Sequence, residues 1–278
     1  MRSDLAALGA VVLWASLASL GALLDHLPPL FLTAVGLLIG SLISLPLAKF
    51  NFRQLIVAPK VLLLGVYGLF GYHVALFMAI QNAPAVQANL VNYLWPLLIV
   101  VLAPIFIPGA RLRFQHALAA LAGFAGAALA ILSGAELTGG FEFGYVWGLV
   151  AAIAWSTYSL GTKRVGQFPT AAVGLFGFVA GGLSLIAHLL LEPAASVSGT
   201  DWVWLIALGL GPLGASFYLW DYALKNGDAQ RVGLIAFLTP LLSTVLLLLV
   251  TGSPLTPLLL LSAALIFGGA FYGGRVNN

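Results

Sequence analysis

The sequence predicts an all-α polytopic membrane protein, ten transmembrane helices arranged as two inverted five-helix repeats. Three observations predict it. Of the 278 residues, 62% are hydrophobic and only 7% are charged, against about 25% charged in soluble domains, too few to clothe a soluble surface. Apolar runs close to the roughly 20 residues that cross a bilayer recur along the whole chain. Finally, FMAIQNAPAVQANLVNYLWPLL and DYALKNGDAQRVGLIAFLTPLL align without a gap at an offset of 144 residues. Lipid offers the backbone no hydrogen-bond partners, so only helices or a closed barrel can span it. The runs are apolar throughout instead of alternating, which selects helices.

Taken in order, the spans are expected at 5–24, 29–48, 59–82, 84–106, 113–133, 143–163, 169–191, 201–224, 228–250 and 255–274. The first follows the short segment Met1-Arg2-Ser3-Asp4 and lacks a small-residue cleavage site, so it is expected to be retained as a helix and not removed as a signal peptide. Each later span is bounded by turn or charged residues: Asp25 and Pro28, then Lys49 to Lys60, Asn82 to Pro84, and Pro108-Gly109-Ala110-Arg111. In the second half the bounds are Glu136 to Glu142, Lys163 and Arg164, Glu192 to Asp201, Asn226 to Asp228, and Gly252-Ser253-Pro254-Leu255. The first repeat covers 1–137 and the second 138–278. There is no cysteine, which removes disulfides and thiolate chemistry.

Basic residues near span ends stay on the cytoplasmic side. In this arrangement all 11 Lys and Arg residues, from Arg2 through Lys49, Arg53, Lys60, Arg111, Arg113, Lys163, Arg164, Lys225 and Arg231 to Arg275, fall on one side. The opposite loops carry Asp25, Glu136, Glu142, Glu192 and Asp201. Both termini are therefore expected in the cytoplasm, with the chain in the cell inner membrane. The basic pI of 9.3 then reflects topology, and no basic run is long enough to track phosphates, so no nucleic-acid partner is expected.

At the offset of 144, Asn82 meets Asn226, Ala85 meets Ala229, Leu90 meets Leu234 and Pro96 meets Pro240. Upstream, AVGL at Ala34 to Leu37 recurs at Ala172 to Leu175, and Trp14-Ala15-Ser16 matches Trp155-Ser156-Thr157. A repeat of five helices is odd, so the second copy must enter the membrane from the opposite side. Inverted repeats of this kind build many secondary transporters, with the site near midplane.

Two five-helix halves, short loops, and an A-x-x-A-x-L pattern followed by Pro-Leu resemble the drug/metabolite transporter superfamily with its EamA-type repeats, over the whole chain. Within it, GYHVALFMAIQNAPAVQANLVNYLWPLL is most similar to the YddG-type aromatic amino acid exporters. The resemblance implies outward export of aromatic amino acids. The family's frequent Glu after the fourth and ninth helices is absent here, where the turns read Pro108-Gly109-Ala110-Arg111 and Gly252-Ser253-Pro254-Leu255.

The candidate site rests on the residues themselves. On a continuous helix Asn89, Asn92, Tyr93 and Pro96 share one face, a polar face that lipid would penalise and a cavity would accept. Pro96 and Pro240 each free a carbonyl from its helical bond and are candidate hinges. Trp14, Trp95 and Trp155 lie about ten residues into their spans, away from the headgroup belt that suits Trp, and predict an aromatic-walled cavity; Tyr158 is placed with them. Trp147, Trp202, Trp204 and Trp220 are expected in the belt. His73 lies mid-span and is a binding candidate by default, while His188 is expected at the interface. Asp221 stands four residues before Lys225, which fits a snorkelling salt bridge at the cytoplasmic end, with a substrate-ammonium or proton site as the alternative.

No catalytic constellation, metal-ligand spacing or channel filter is present at usable spacing, so neither cofactor nor metal is expected. A transporter accounts together for the repeat, the proline breaks and the midplane polar aromatics. The expected partners are membrane lipid and a small substrate, an aromatic amino acid, whose ring the indoles would stack. Its carboxylate and ammonium would meet His73, Asn89, Asn92 and Tyr93. The chain is expected to act as a monomer. The alternative is a broad-specificity drug/metabolite exporter, or a proton-coupled metabolite transporter of the same superfamily.

Overall fold

A computed structural model describes residues 2–132, 140–251 and 256–274. Glu136, the Gly252-Ser253-Pro254-Leu255 turn and Arg275 lie outside the described residues. All regular structure among the described residues is helical. The helical runs are α1 (Arg2–Leu23), α2 (Pro29–Leu47), α3 (Pro59–Gln81), α4 (Ala85–Phe106), α5 (Phe114–Leu132), α6 (Gly144–Gly161), α7 (Thr170–Leu191), α8 (Gly199–Asn226), α9 (Ala229–Leu246) and α10 (Pro257–Gly274).

Eight of these runs are long and apolar enough to cross a membrane. The expected crossings α6 and α10 fall short of that measure. The second half of α6 carries Trp155, Ser156, Thr157, Tyr158 and Ser159, whose polar atoms lower its apolarity, and all but Thr157 are buried in the protein. Among the described residues α10 offers a shorter apolar stretch.

Departures from straight α-helix recur at the sequence offset. A π-helical turn interrupts α3 at Tyr67–Gly71, and its counterpart interrupts α8 at Gly211–Ala215. The segment Ala85–Asn92 ends where Trp95–Phe106 begins, and Ala229–Ala236 likewise gives way to Leu238–Thr251. Pro96 and Pro240 sit in the first turn of the second member of each pair. There a missing N–H costs nothing, since the first turn has no intrahelical acceptor for it.

Contacts between the halves are reciprocal. Helix α2 packs on α7, α4 on α9 and α5 on α10, while α1 packs on α8 just as α6 packs on α3. Small residues allow the close approaches. A Cβ on Gly40 of α2 would stand 2.6 Å from the Leu213 carbonyl oxygen and 2.7 Å from the Gly214 Cα, both on α8. At the same place the Tyr218 hydroxyl donates to the Gly40 carbonyl at 3.0 Å.

One end of the bundle is fastened by carboxylates at helix starts. Glu192 accepts hydrogen bonds from the Leu30 and Phe31 N–H groups at 3.0 and 3.3 Å, at the start of α2, and from His188 Nδ1 at 2.9 Å. An anion suits that helix terminus. His188 is therefore buried, 4% exposed, and not interfacial as the sequence predicts, because Glu192 gives its ring a partner inside the protein. Asp201 closes a capping box with Ser198 and meets His26 at 3.2 Å.

Overpacking a well-filled contact typically costs about 1–3 kcal/mol. Gly40→Ala should therefore lower the thermal unfolding temperature in detergent. Gly182→Ala, where a Cβ would meet nothing within 4 Å, should leave it unchanged. Equal melting of the two variants would show that the α2–α8 approach has slack.

Candidate functional site

The proline-started segments, the π turns and α1 converge on a cavity of about 710 Å³. Each interruption turns side chains that a continuous helix would send elsewhere. Behind the Tyr67–Gly71 turn, Tyr72 and His73 face inward; behind Gly211–Ala215, Phe217 does. The break after Asn92 brings Asn89, Asn92, Tyr93 and Trp95 to the wall. Pro96 does not line it, because the chain restarts its helix there; the Pro96 carbonyl oxygen lies against Gly233 of α9.

Indoles form the cavity floor. Trp14 meets Trp155 at 5.8 Å between ring centroids and Trp95 at 6.1 Å, and Trp95 meets Trp155 at 6.3 Å, all edge to face. Phe217 leans on Trp155 at 5.6 Å and Tyr72 does so at 5.2 Å. Edge-to-face rings contribute about 0.5–1.5 kcal/mol per pair beyond their buried area, so the floor is rigid. Tyr158, expected in the site, lies behind Trp155 at 5.3 Å and does not line the cavity. It fills the space left by Gly68, where a Cβ would strike its ring.

Polar groups are few. His73 Nδ1 donates to the Leu69 carbonyl at 2.6 Å, and Asn92 Nδ2 donates to the Tyr72 hydroxyl at 3.3 Å. The Asn92 Oδ1 and Thr239 Oγ1 atoms are buried without a partner. A buried polar atom left without a hydrogen bond costs about 1–3 kcal/mol. The rim is made by exposed Asp25, Ile80, Ala85 and Val86, so the cavity opens at that end.

The opposite end is closed. Trp220, expected in the headgroup belt, is 1% exposed and plugs the floor from below, 5.1 Å from Trp14 and 5.5 Å from Trp95. Its indole N–H finds the Ser159 hydroxyl at 3.1 Å, a partner that a position near a span end did not reveal. Beneath it, Asp221 accepts from Lys225 and Thr170, both at 2.6 Å, outside the cavity. Lys225 also donates to the Phe168 carbonyl at 2.9 Å. Arg231 pairs with Asp4 at 3.0 Å and Lys163 donates to the Gly227 carbonyl at 2.6 Å. Burial pushes the Lys163 ammonium below the ordinary lysine range, with Asp228 pulling the other way.

The sequence profile of the EamA-like transporter family matches residues 1–132 and again 142–272. The chain belongs to the EamA-like transporter family. With its apolar helices it is a multi-pass membrane protein. It is similar to the aromatic amino acid exporter YddG of Ancylobacter novellus, 38% identical over 94% of this chain and 93% of that one. It also resembles a protein of Streptantibioticus cattleyicolor described as a probable terminal-alkyne amino-acid exporter, 25% identical over 78% of this chain and 73% of that one. A protein of known crystal structure, 35% identical, superposes with a TM-score of 0.90 over 98% of this chain and 96% of its own.

In this EamA-like transporter, residues in corresponding places of the two matched segments meet at the cavity. Trp14 packs on Trp155, whose surrounding sequence resembles its own. His73 and its mate at the offset of 144, Phe217, have ring centroids 6.3 Å apart. Trp95 shares the wall with its mate Thr239. Sequence reasoning missed Thr239, Ser243, Phe217 and Leu213; applying the offset to each candidate of the first half would have found two of them, Phe217 from His73 and Thr239 from Trp95.

Losing a buried hydrogen bond costs about 1 kcal/mol, so Trp220→Phe should destabilise the folded state by roughly that amount in chemical unfolding followed by circular dichroism. Trp202→Phe, at a 47% exposed position, should change stability by less than about 0.5 kcal/mol. The reverse ranking would return Trp220 to the headgroup belt.

Proposed function

We propose that this EamA-like transporter exports aromatic amino acids across the cell inner membrane by alternating access. It is not an enzyme, and it works as a monomer. The observation that carries the reading is an indole-floored cavity with few polar groups, open at one end and closed at the other by Trp220 and the Asp4–Arg231 pair. The YddG relative supports the substrate class. The reciprocal packing of α1–α5 on α6–α10 supports ten crossings as two inverted five-helix repeats, 1–137 and 138–278. One-sided basic residues support cytoplasmic termini, so the sealed end is cytoplasmic and this conformation faces outward.

In that reading Trp14, Trp95 and Trp155 stack the substrate ring, with Tyr158 backing Trp155. His73, Asn89, Asn92 and Tyr93 receive the polar end, joined by Thr239. Pro96 and Pro240 let each broken helix bend when the halves rock. Inward opening requires the Asp4–Arg231 and Lys163–Gly227 links to part. The second reading, a proton-coupled exporter, is favoured by one observation: the Asp221 carboxylate is 1% exposed and its Oδ1 has no partner.

Counterflow of radiolabelled tryptophan in proteoliposomes tests the proposal. Ring stacking alone makes each of Trp95→Ala and Trp155→Ala weaken apparent affinity by about two- to tenfold, and lost contact area adds to this. The Phe variants should keep most of the activity. Size-exclusion behaviour separates loss of function from misfolding, since a core Trp→Ala change can cost about 3–5 kcal/mol. Folded Ala variants with unaltered tryptophan exchange would refute the aromatic site. A tryptophan rate set by an imposed pH gradient would move the account to the second reading.

A further inference from the structure

The charge inventory of the cavity is one-sided. Among the described residues that line it, the only carboxylate is Asp25 at the rim, and neither Lys nor Arg contributes. The lining's unpartnered polar atoms include acceptors. Asn92 uses its amide N–H on Tyr72, which leaves Oδ1 buried and unbonded in a side chain that is 3% exposed. A carbonyl only accepts, so His73 Nδ1 carries the hydrogen toward Leu69. In the neutral ring Nε2 is then an acceptor. The indole faces below are electron-rich and attract cations at close range.

A carboxylate entering this space would find only neutral donors such as the tyrosine hydroxyls, and it would pass a like charge at the rim. An ammonium would find the His73 ring, the indole faces and an opposite charge at the rim. In a partly desolvated site that difference is large compared with the same charges in water.

We infer that the cavity is a cation filter: it accepts aromatic amines that lack a carboxylate, such as arylethylamines, as ligands alongside aromatic amino acids, and it rejects aromatic monocarboxylates. The inference rests on the reading of the cavity as the site for aromatic amino acids. It extends the substrate class to amines, because the lining offers an ammonium the rim carboxylate and electron-rich ring faces and offers a carboxylate no cationic partner.

Titration calorimetry on the purified full chain in detergent, at low ionic strength, compares phenylalanine, 2-phenylethylamine and 3-phenylpropanoate. The amine should bind within about tenfold of phenylalanine, and the acid at least about 100-fold more weakly than the amine. Asp25 is exposed, so Asp25→Asn should fold normally and narrow the amine-to-acid ratio several-fold. Added salt should do the same in the unmodified protein, since rim charges are screened. Binding of phenylalanine without the amine would overturn the filter and leave the amino acid reading intact. Equal binding of amine and acid would overturn it as well, as would a ratio that Asp25→Asn does not move. Binding of none of the three would overturn both the filter and the reading beneath it.

Discussion

Four indoles pack against one another where the two halves of the chain meet, Trp14 and Trp220 within 5.1 Å and each of them against Trp95. Much else in the molecule follows from that contact. An indole N–H facing lipid has no partner, so such rings must be gathered toward protein or toward a cavity. Gathering them requires α1, α4, α6 and α8 to approach one another closely, and α4 and α6 do so at Gly148, where a Cβ would stand 3.0 Å from the Ala88 carbonyl oxygen. It also requires side chains to leave the regular helical register, which the π turns at Tyr67–Gly71 and Gly211–Ala215 and the breaks before Trp95 and Leu238 achieve. A single cluster thereby forms the floor of the cavity and the plug beneath it.

The two ends of the bundle are held in different ways. At the open end, Glu192 and Asp201 satisfy helix starts and histidines, and Glu192 thereby ties the end of α7 to the start of α2. At the sealed end the links between separate helices and the segments joining them are Asp4 with Arg231, Lys163 with Gly227 and Lys225 with Phe168, while Lys225 and Asp221 pair within α8. A partly exposed pair such as Asp4–Arg231 contributes about 0–1 kcal/mol. In the proposed alternating access, a link of that size would be within reach of a ligand's differential binding energy.

How much of this was legible in the sequence can be read from particular residues. Trp14, Trp95 and Trp155 were found because midplane Trp violates the headgroup preference, a rule that does not depend on tertiary contacts. His73, Asn89, Asn92 and Tyr93 were found because polar side chains in lipid need a reason, and all four line the cavity. Trp220 and His188 were misread for a common cause. Each lies near a span end, where depth alone predicts an interface, and what decides their place is a partner distant in sequence or on a neighbouring turn: Ser159 for one, Glu192 for the other. Pro96 was assigned to the polar face by assuming an unbroken helix, and the break after Asn92 removes it. Tyr158 shows the same limit, since no pattern distinguishes a ring at the wall from one a layer behind it.

The central claim is that the aromatic-floored cavity, and not the smaller groove of about 290 Å³ beside Tyr67 and Trp147, holds the substrate. The most direct measurement is anomalous diffraction from crystals grown with 5-bromotryptophan. The account predicts a bromine peak over Trp14, Trp95 and Trp155, with the amino group toward Asn92 and His73. A peak in the groove beside Trp147, with the central cavity unoccupied, would contradict it.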